Sequence, residues 1–334
     1  MAKKALVTGG AGFIGINFVQ YLLSEDYEVV VLDSFTYAAN KEGLYSIGHP
    51  GLSVYVGDIC DANRVRQVIA NTKPDVVFHL AAESHVDRSI AGPQVFFQTN
   101  VFGTYTMVSI CKELIENGTL CNEFKFVHVS TDEVFGSLDR DGYNAFDENS
   151  QINPSSPYSA SKASSDHIVL SYCHTYGFPG VVTNCSNNYG PYQHPEKLVP
   201  ASITKILNGE KVDIHGDGCN VRDWIYVDDH CKAIEAVYRS GRIGERYCIG
   251  GEEEKRNIEI VAEVVKRICG ERCEALDYIN FVTDRPGGDA RYAIINRKIT
   301  HHTGWRPTTN FEQGIDRTVA WYQRNSAQKG HIKQ

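Results

Sequence analysis

Short β-branched runs recur along the first half of the chain, and helix-length segments fill most of the intervals between them. The runs are Lys4–Thr8 (KALVT), Glu28–Asp33 (EVVVLD), Ser53–Asp58 (SVYVGD), Val76–Ala82 (VVFHLAA), Lys125–Thr131 (KFVHVST) and Gly180–Ser186 (GVVTNCS). Helical patterns cover Phe13–Ser24, Ala62–Thr72, Val101–Glu116 and Ser159–Tyr176. Strands apolar along nearly their whole length hide both faces, and helices between them imply right-handed βαβ crossovers. The expectation is an α/β chain with a Rossmann-type doubly wound parallel sheet over residues 1–188. A smaller mixed α/β substrate lobe is expected over 189–334, with later segments free to return to the sheet. The texture changes near Tyr189, where NNYGPYQHPEKLVP reads as loop. Beyond it strands and helices are less regular, although Ile258–Cys269 and Phe311–Arg324 carry amphipathic patterns.

Bulk properties narrow the partners. A formal charge of −8 offers no basic surface to nucleic acid or to an anionic membrane. An anionic small molecule needs only a local cluster of donors. The ten cysteines are scattered, several inside apolar runs (Cys111, Cys185, Cys248), and MAKKALVTGG holds no apolar stretch of signal length. Reduced thiols in the cytoplasm are the expectation. No segment is long and apolar enough to span a bilayer. Neither Cys269 with Cys273 nor His301 with His302 has further ligands at metal spacing, so no metal is expected.

The first strand ends in TGGAGFIG, whose Gly9, Gly12 and Gly15 bracket Phe13 and Ile14. Such a turn lets the backbone approach a pyrophosphate at a helix N-terminus. Asp33, 18 residues after Gly15 and followed by Ser34, closes the second strand. A carboxylate there accepts from an adenosine ribose and repels a 2′-phosphate, so the cofactor expected is NAD rather than NADP. Asp58 and Ile59 would flank the adenine. Leu80, Ala81 and Ala82 would pass beneath the phosphates and the nicotinamide ribose.

Tyr158 and Lys162 stand four apart on a helix and so share a face. An adjacent ammonium and a positive nicotinamide ring would favour the phenolate, making Tyr158 a base and Lys162 a ribose ligand. Together these features resemble the extended short-chain dehydrogenase/reductase superfamily, which mostly acts on nucleotide sugars. By that resemblance Thr131, ending the fifth strand, hydrogen-bonds the substrate hydroxyl beside the tyrosine.

Asp132 and Glu133 follow Thr131, and a simple epimerase needs neither. They make sense if the reaction also expels water. Oxidation at C4 of a hexose acidifies the C5 proton. Glu133 could then remove it while Asp132 protonates the departing C6 hydroxyl. Adjacent carboxylates in a dry cleft push their pKa values apart, as an acid and a base require. The bland alternative is an acidic helix start.

STDEVFG, LAAESHVDRSI, SPYSASKASSDH, NCSNNYGPYQHPEKLVP, RDWIYVDDH and DRPGGDARYAI resemble the motifs of the dTDP-glucose 4,6-dehydratase family, over about residues 4 to 324. The resemblance implies a catalytic set of Thr131, Asp132, Glu133, Tyr158 and Lys162. It implies that Ser84, Asn187, Lys197, Leu198, Arg222, Asn257, Asp284, Arg285, Arg291 and Tyr292 hold the nucleotide sugar, and that Thr99 and Asn188 lie by the cofactor. It also implies a homodimer through a four-helix interface built from Val101–Glu116 and Ser159–Tyr176. The segment between Gly136 and Ser156 is more compact than in some members. A nucleotide-sugar epimerase or decarboxylase, a UDP-glucose dehydratase and a non-catalytic dinucleotide-sensing scaffold stand as alternatives. The product of such a dehydration feeds rhamnose and other deoxysugars.

Overall fold

A computed structural model describes residues 2–284 and 286–331 of the chain. Its strands are β1 (Lys4–Thr8), β2 (Glu28–Asp33), β3 (Leu52–Val56), β4 (Val76–His79), β5 (Lys125–Thr131) and β6 (Gly180–Cys185). They continue with β7 (Asn187–Tyr189), β8 (Val212–His215), β9 (Val221–Tyr226), β10 (Arg246–Ile249), β11 (Glu254–Arg256) and β12 (Ile279–Val282). Seven of them form one parallel sheet in the order β10-β6-β5-β4-β1-β2-β3. The chain reverses its direction of travel across the sheet between β1 and β4. A doubly wound sheet opens its ligand crevice there, outside the carboxyl ends of the strands.

Residue alternation within the strands loads both faces. Ala5, Val7, Val29, Val31, Phe78 and Val127 enter one buried cluster with Phe18 and Leu22 of the helix Phe13–Ser24. Leu6, Val30, Leu32, Val77, Phe126 and Val182 enter the other with Val65, Val68, Val108 and Cys111. The two-residue period of a strand, combined with apolar side chains at both parities, makes the sheet a filling between two helical layers.

Two segments beyond residue 188 belong to this layer. β10 pairs with β6 in the register Arg246↔Val182 and Cys248↔Asn184. The helix Val227–Ser240 contributes Cys231, Ile234 and Val237 to the first cluster, beside Phe18 and Leu22. A cut between residues 188 and 189 would therefore divide the sheet and its core. The remaining C-terminal elements form a smaller lobe of β11-β9-β7, the pair β12-β8, and the helices Leu198–Leu207, Asn257–Cys269 and Phe311–His331. Tyr189, Ile203, Ile260, Val264, Phe311 and Ile315 are its core. The stretch read as loop after Cys185 thus starts with a strand, because Asn187–Tyr189 pair with Trp224–Tyr226.

The helix expected from Val101 begins differently. Phe97–Gly103 is a turn of π-helix, and the α-helix starts at Thr104. The extra residue per turn sets Asn100 inward, where its side chain receives the Glu83 amide at 2.8 Å and donates to the Glu83 carbonyl and to Ser161. Such bulges often accompany functional sites.

Candidate active site

A cleft of about 410 Å³ lies along the carboxyl ends of β1, β2 and β4. Every residue assigned to a dinucleotide from the sequence, from Gly9 to Asn188, lines it. The glycines are there for space. Gly9 has φ +72°, and a Cβ on it would stand 2.7 Å from the Ala81 nitrogen. A Cβ on Gly15 would stand 2.1 Å from the Gly9 carbonyl oxygen, so only glycine lets the turn close. Asp33 accepts from the Ala11 amide at 2.9 Å with one carboxylate oxygen and from the Phe35 amide at 2.7 Å with the other. Burial pushes this carboxyl up, and the two amides oppose the push. A carboxylate offers about four lone-pair sites, so both oxygens keep capacity for ribose hydroxyls. The turn without room for a Cβ, the helix start behind it and this carboxylate fit an adenine dinucleotide.

Asp33 therefore ties the glycine turn, and the capacity left on its oxygens is what a ribose would use. Asp33→Asn can accept at one atom only and turns its amide nitrogen against a backbone N–H. We expect it to lower NAD affinity about 10-fold to 100-fold, in line with the loss of one or two hydrogen bonds to a charged group. Titration of the cofactor-stripped protein with NAD measures this, and an unchanged affinity would refute the double role.

The inner end of the cleft carries the chemistry. β5 delivers Thr131, which caps the short 3-10 turn Asp132–Phe135 by accepting from the Glu133 amide at 3.3 Å. The cap is the threonine, and both acids fall in the first turn of this four-residue helix, so what sets them apart from an ordinary acidic helix start is the burial of Asp132 and the opening of Glu133 onto the cleft. Asp132 is 1 % exposed, and its Oδ2 has no hydrogen-bond partner among the described residues. Burial first, then the neighbouring Glu133 and then Asp223, hold its carboxyl well above the usual carboxylate range, which favours its protonated form. Glu133 is half-buried and opens on the cleft.

Tyr158 and Lys162 project from the helix Pro157–Tyr176, whose start is fixed by Pro157 and a Ser156–Ser159 capping box. The Thr131 hydroxyl donates to the Asp132 Oδ1 at 3.3 Å, and Thr131 lines the same cleft as the Tyr158 phenol. Lys162 donates to the Val129 carbonyl at 2.9 Å, and burial lowers its ammonium to about 8. The expected acidification of the phenol by Lys162 is not the leading influence here. Burial and then the Glu133 carboxylate push Tyr158 well above its ordinary value, because the phenolate would be an unsolvated anion beside a second one.

A second cleft of about 360 Å³ runs between the sheet and the smaller lobe, and Glu133, Asn187, Asn188 and Lys197 line both. Leu198, Arg222, Asn257 and Asp284 line the second, whereas Ser84 lines the first. The Arg222 guanidinium donates to the Val221 and Asp289 carbonyls and lies 4.3 Å from the Tyr292 ring centroid. Tyr292 thus supports Arg222 from behind and lines neither cleft. Arg291 also lies off the walls, since its fork is taken by Glu254 at 2.7 and 2.9 Å and by the Asn144 carbonyl. Arg285 lies outside the described residues.

Chemistry at the mouth of the clefts was not foreseen. Glu196 stands 3.5 Å from Arg88 and 3.7 Å from both His85 and His194, while the Arg88 guanidinium covers the Tyr37 ring at 3.7 Å. Three segments distant in sequence, one of them the helix Val86–Ala91, meet there, and only their contact makes the cluster.

A tyrosine–lysine pair opening into a dinucleotide cleft, with a second cleft joining it at Glu133, is the arrangement of a short-chain dehydrogenase/reductase of the extended kind. Known proteins place the chain more narrowly. The family model for GDP-mannose 4,6 dehydratase matches residues 6–318. A dTDP-glucose 4,6-dehydratase of Xanthomonas campestris pv. campestris (strain B100) is 48% identical, over 96% of this chain and 93% of that one. The Streptomyces venezuelae dTDP-glucose 4,6-dehydratase, solved with NAD and dTDP bound, superposes with a TM-score of 0.89. It shares 44% identity over 97% of this chain and 98% of that one. A UDP-glucose 4-epimerase of Thermus thermophilus, in complex with NAD, superposes at 0.84 with 29% identity over 96% and 99% of the two chains. The chain belongs to the GDP-mannose 4,6 dehydratase family and stands within it among the dTDP-glucose 4,6-dehydratases.

Proposed function

We infer that the protein is an NAD-dependent hydro-lyase that converts dTDP-glucose to dTDP-4-keto-6-deoxyglucose and water, EC 4.2.1.46. The epimerase shares the fold, so the fold does not decide the reaction. What carries the reading is the acid pair: a buried Asp132, its carboxyl shifted toward the protonated form, beside a half-buried Glu133 facing both clefts.

The residues lining the first cleft would hold NAD, which when bound would supply reversible hydride chemistry between C4 and C6 of the sugar, so no external reductant would be consumed. Tyr158, as the phenolate, takes the C4 hydroxyl proton, and Thr131 lines the same cleft beside the substrate hydroxyl. The C4 ketone makes the C5 proton acidic, and Glu133 removes it. Asp132 gives its proton to the C6 hydroxyl, which leaves as water. Glu133 then returns its proton to C5 as C6 is reduced, so the sugar loses one water and no net electrons. Lys197 and Arg222 supply the charge-assisted donors that a diphosphate requires, with Asn187, Asn257 and Asp284 along the same wall. Thymidine rather than uridine rests on the relatives, because a methyl group discriminates by only ~1–3 kcal/mol.

The test is incubation with dTDP-glucose and, separately, UDP-glucose, without added NAD. The 4-keto-6-deoxy product from the thymidine nucleotide is expected. A 4-epimer in its place, or product from UDP-glucose alone, would overturn the assignment.

We read the protein as cytoplasmic, in keeping with its ten free cysteines and with the lack, among the described residues, of a helix able to cross a membrane. A homodimer through the helices Thr104–Glu116 and Pro157–Tyr176 is supported by the exposed Phe97, Phe102, Tyr105 and Tyr176 around them. A sedimentation mass of one chain would remove it.

A further inference from the structure

Beneath the acid turn, on the side away from both clefts, lies a buried cluster of charge that the reaction does not consume. Asp166 sits on the helix Pro157–Tyr176, one turn after Lys162 and two after Tyr158. It is fully buried. Nη1 of Arg246, the first residue of β10, donates to the Asp166 Oδ2 at 2.7 Å and to the Asn184 Oδ1 at 2.6 Å. The Asn184 amide donates to the same Asp166 oxygen at 3.0 Å and to the main-chain carbonyl of Thr131 at 2.9 Å. The Arg246 guanidinium also lies 5.6 Å from the ring centroid of Phe135, the last residue of the acid turn. His128 of β5 stands 3.3 Å from Asp166 and is held neutral, its pKa lowered to about 4 chiefly by burial.

Each end of this cluster touches a different catalytic segment. Asp166 belongs to the helix that carries the tyrosine and lysine. Asn184 grips the carbonyl of the threonine that leads into Asp132 and Glu133. Arg246 bridges the two and backs the far end of the acid turn. Stability alone is a poor reason to bury such a group. Two charges lose their hydration, and an apolar pair of similar volume is often as stable or more so. A guanidinium has a fixed fork of donors, so it sets direction as well as charge.

We propose that Arg246 and Asp166, acting through Asn184, are positioning residues that fix the Thr131–Glu133 turn relative to Tyr158. Neither reaches substrate or cofactor. Their effect is the spacing between the oxidation centre and the elimination pair, which one bound sugar must meet without being released. β10 thereby contributes to the mechanism from the edge of the sheet. The inference rests on the dehydratase reading, since it assigns a task relative to those catalytic groups.

The test compares wild type, the charge-neutral pair Asp166→Asn with Arg246→Met, and Arg246→Lys, all as purified holoenzyme. In the pair, kcat for dTDP-glucose is expected to fall about 10-fold to 100-fold, the penalty of a misplacement on the order of an ångström. KM and the amount of NAD retained should stay within about twofold, because the residues that hold the ligands are untouched. Arg246→Lys keeps the charge and loses the fork, so its kcat should fall between the two with KM unchanged. A folded pair with wild-type kcat, or a loss that appears in KM instead, overturns the proposal. Should the pair not fold, Arg246→Lys decides alone, and wild-type kcat there overturns it. A wild type that does not turn over dTDP-glucose refutes the dehydratase reading and this assignment together. A variant as fast as an active wild type refutes only the latter.

Discussion

The Asp132→Asn, Glu133→Gln protein should oxidise dTDP-glucose and then stall. Formation of the 4-keto-6-deoxy product is expected to fall about 1000-fold, within the range that positioned proton transfer contributes. Reduced nicotinamide should accumulate on the enzyme and be visible by its absorbance, since Tyr158 and Thr131 are intact and hydride return awaits elimination. The amides keep the volume of the acids, so the turn that Thr131 caps should survive. A single Asp132→Asn change isolates the acid. Asp132 works while protonated, so wild-type elimination should decline as pH rises through its elevated value, and the variant should lose that limb. Stability moves in the same sense. A carboxyl raised above its ordinary 3.8 binds its proton more tightly in the native state, so its contribution to stability falls as pH rises from that value through the folded one. Denaturation midpoints of Asp132→Asn should therefore depend less on pH across that window. Unchanged elimination by the double variant would leave the proposed chemistry without a foundation.

What the sequence disclosed, and what it did not, follows from the range of the interactions involved. TGGAGFIG, Asp33 and Tyr158 with Lys162 are local patterns whose function is set by one strand, one turn or one helix face. The structure lines a single cleft with all of them. β10 could not be placed in this way. Arg246–Ile249 is four residues long, and only its pairing with β6 and its cover by the helix Val227–Ser240 make it a central-sheet strand. Asn187–Tyr189 was legible only as loop for the same reason, since its partner lies on β9, more than thirty residues later. Arg291 and Tyr292 sit in a motif typical of a nucleotide-sugar pocket. Yet Glu254 takes the Nε and Nη2 edge of the one, and Arg222 stacks on the other. Whether a charged residue meets a ligand or a neighbouring strand is decided by tertiary packing, which no spacing records. The Asp166–Arg246 pair hid likewise: its members come from a helix and an edge strand 80 residues apart.

Tyr158→Phe should stop the reaction one step earlier than the acid-pair variant does. Without the phenol the C4 hydroxyl proton has no acceptor of suitable geometry. We expect kcat to fall about 1000-fold, with no reduced nicotinamide detectable during turnover. KM should change little, because Lys197 and Arg222, the proposed diphosphate ligands, line the second cleft and are untouched. The two variants thus leave opposite optical signatures, which separates failed oxidation from failed elimination. The phenol's environment sharpens the expectation. Burial and the Glu133 carboxylate both raise Tyr158 above its ordinary value, so oxidation should accelerate with pH until the phenol can ionise. Glu133→Gln removes the repelling charge, which must lower the phenol's pKa and move that limb to lower pH. Glu133 then has two opposed effects. On the proposed mechanism it supplies the base for C5 and, by the same charge, raises the pKa of the Tyr158 phenol. If Tyr158→Phe formed reduced nicotinamide at the wild-type rate, some other group would be the C4 base. If the oxidation limb of Glu133→Gln moved to higher pH, the coupling between the carboxylate and the phenol would have the wrong sign.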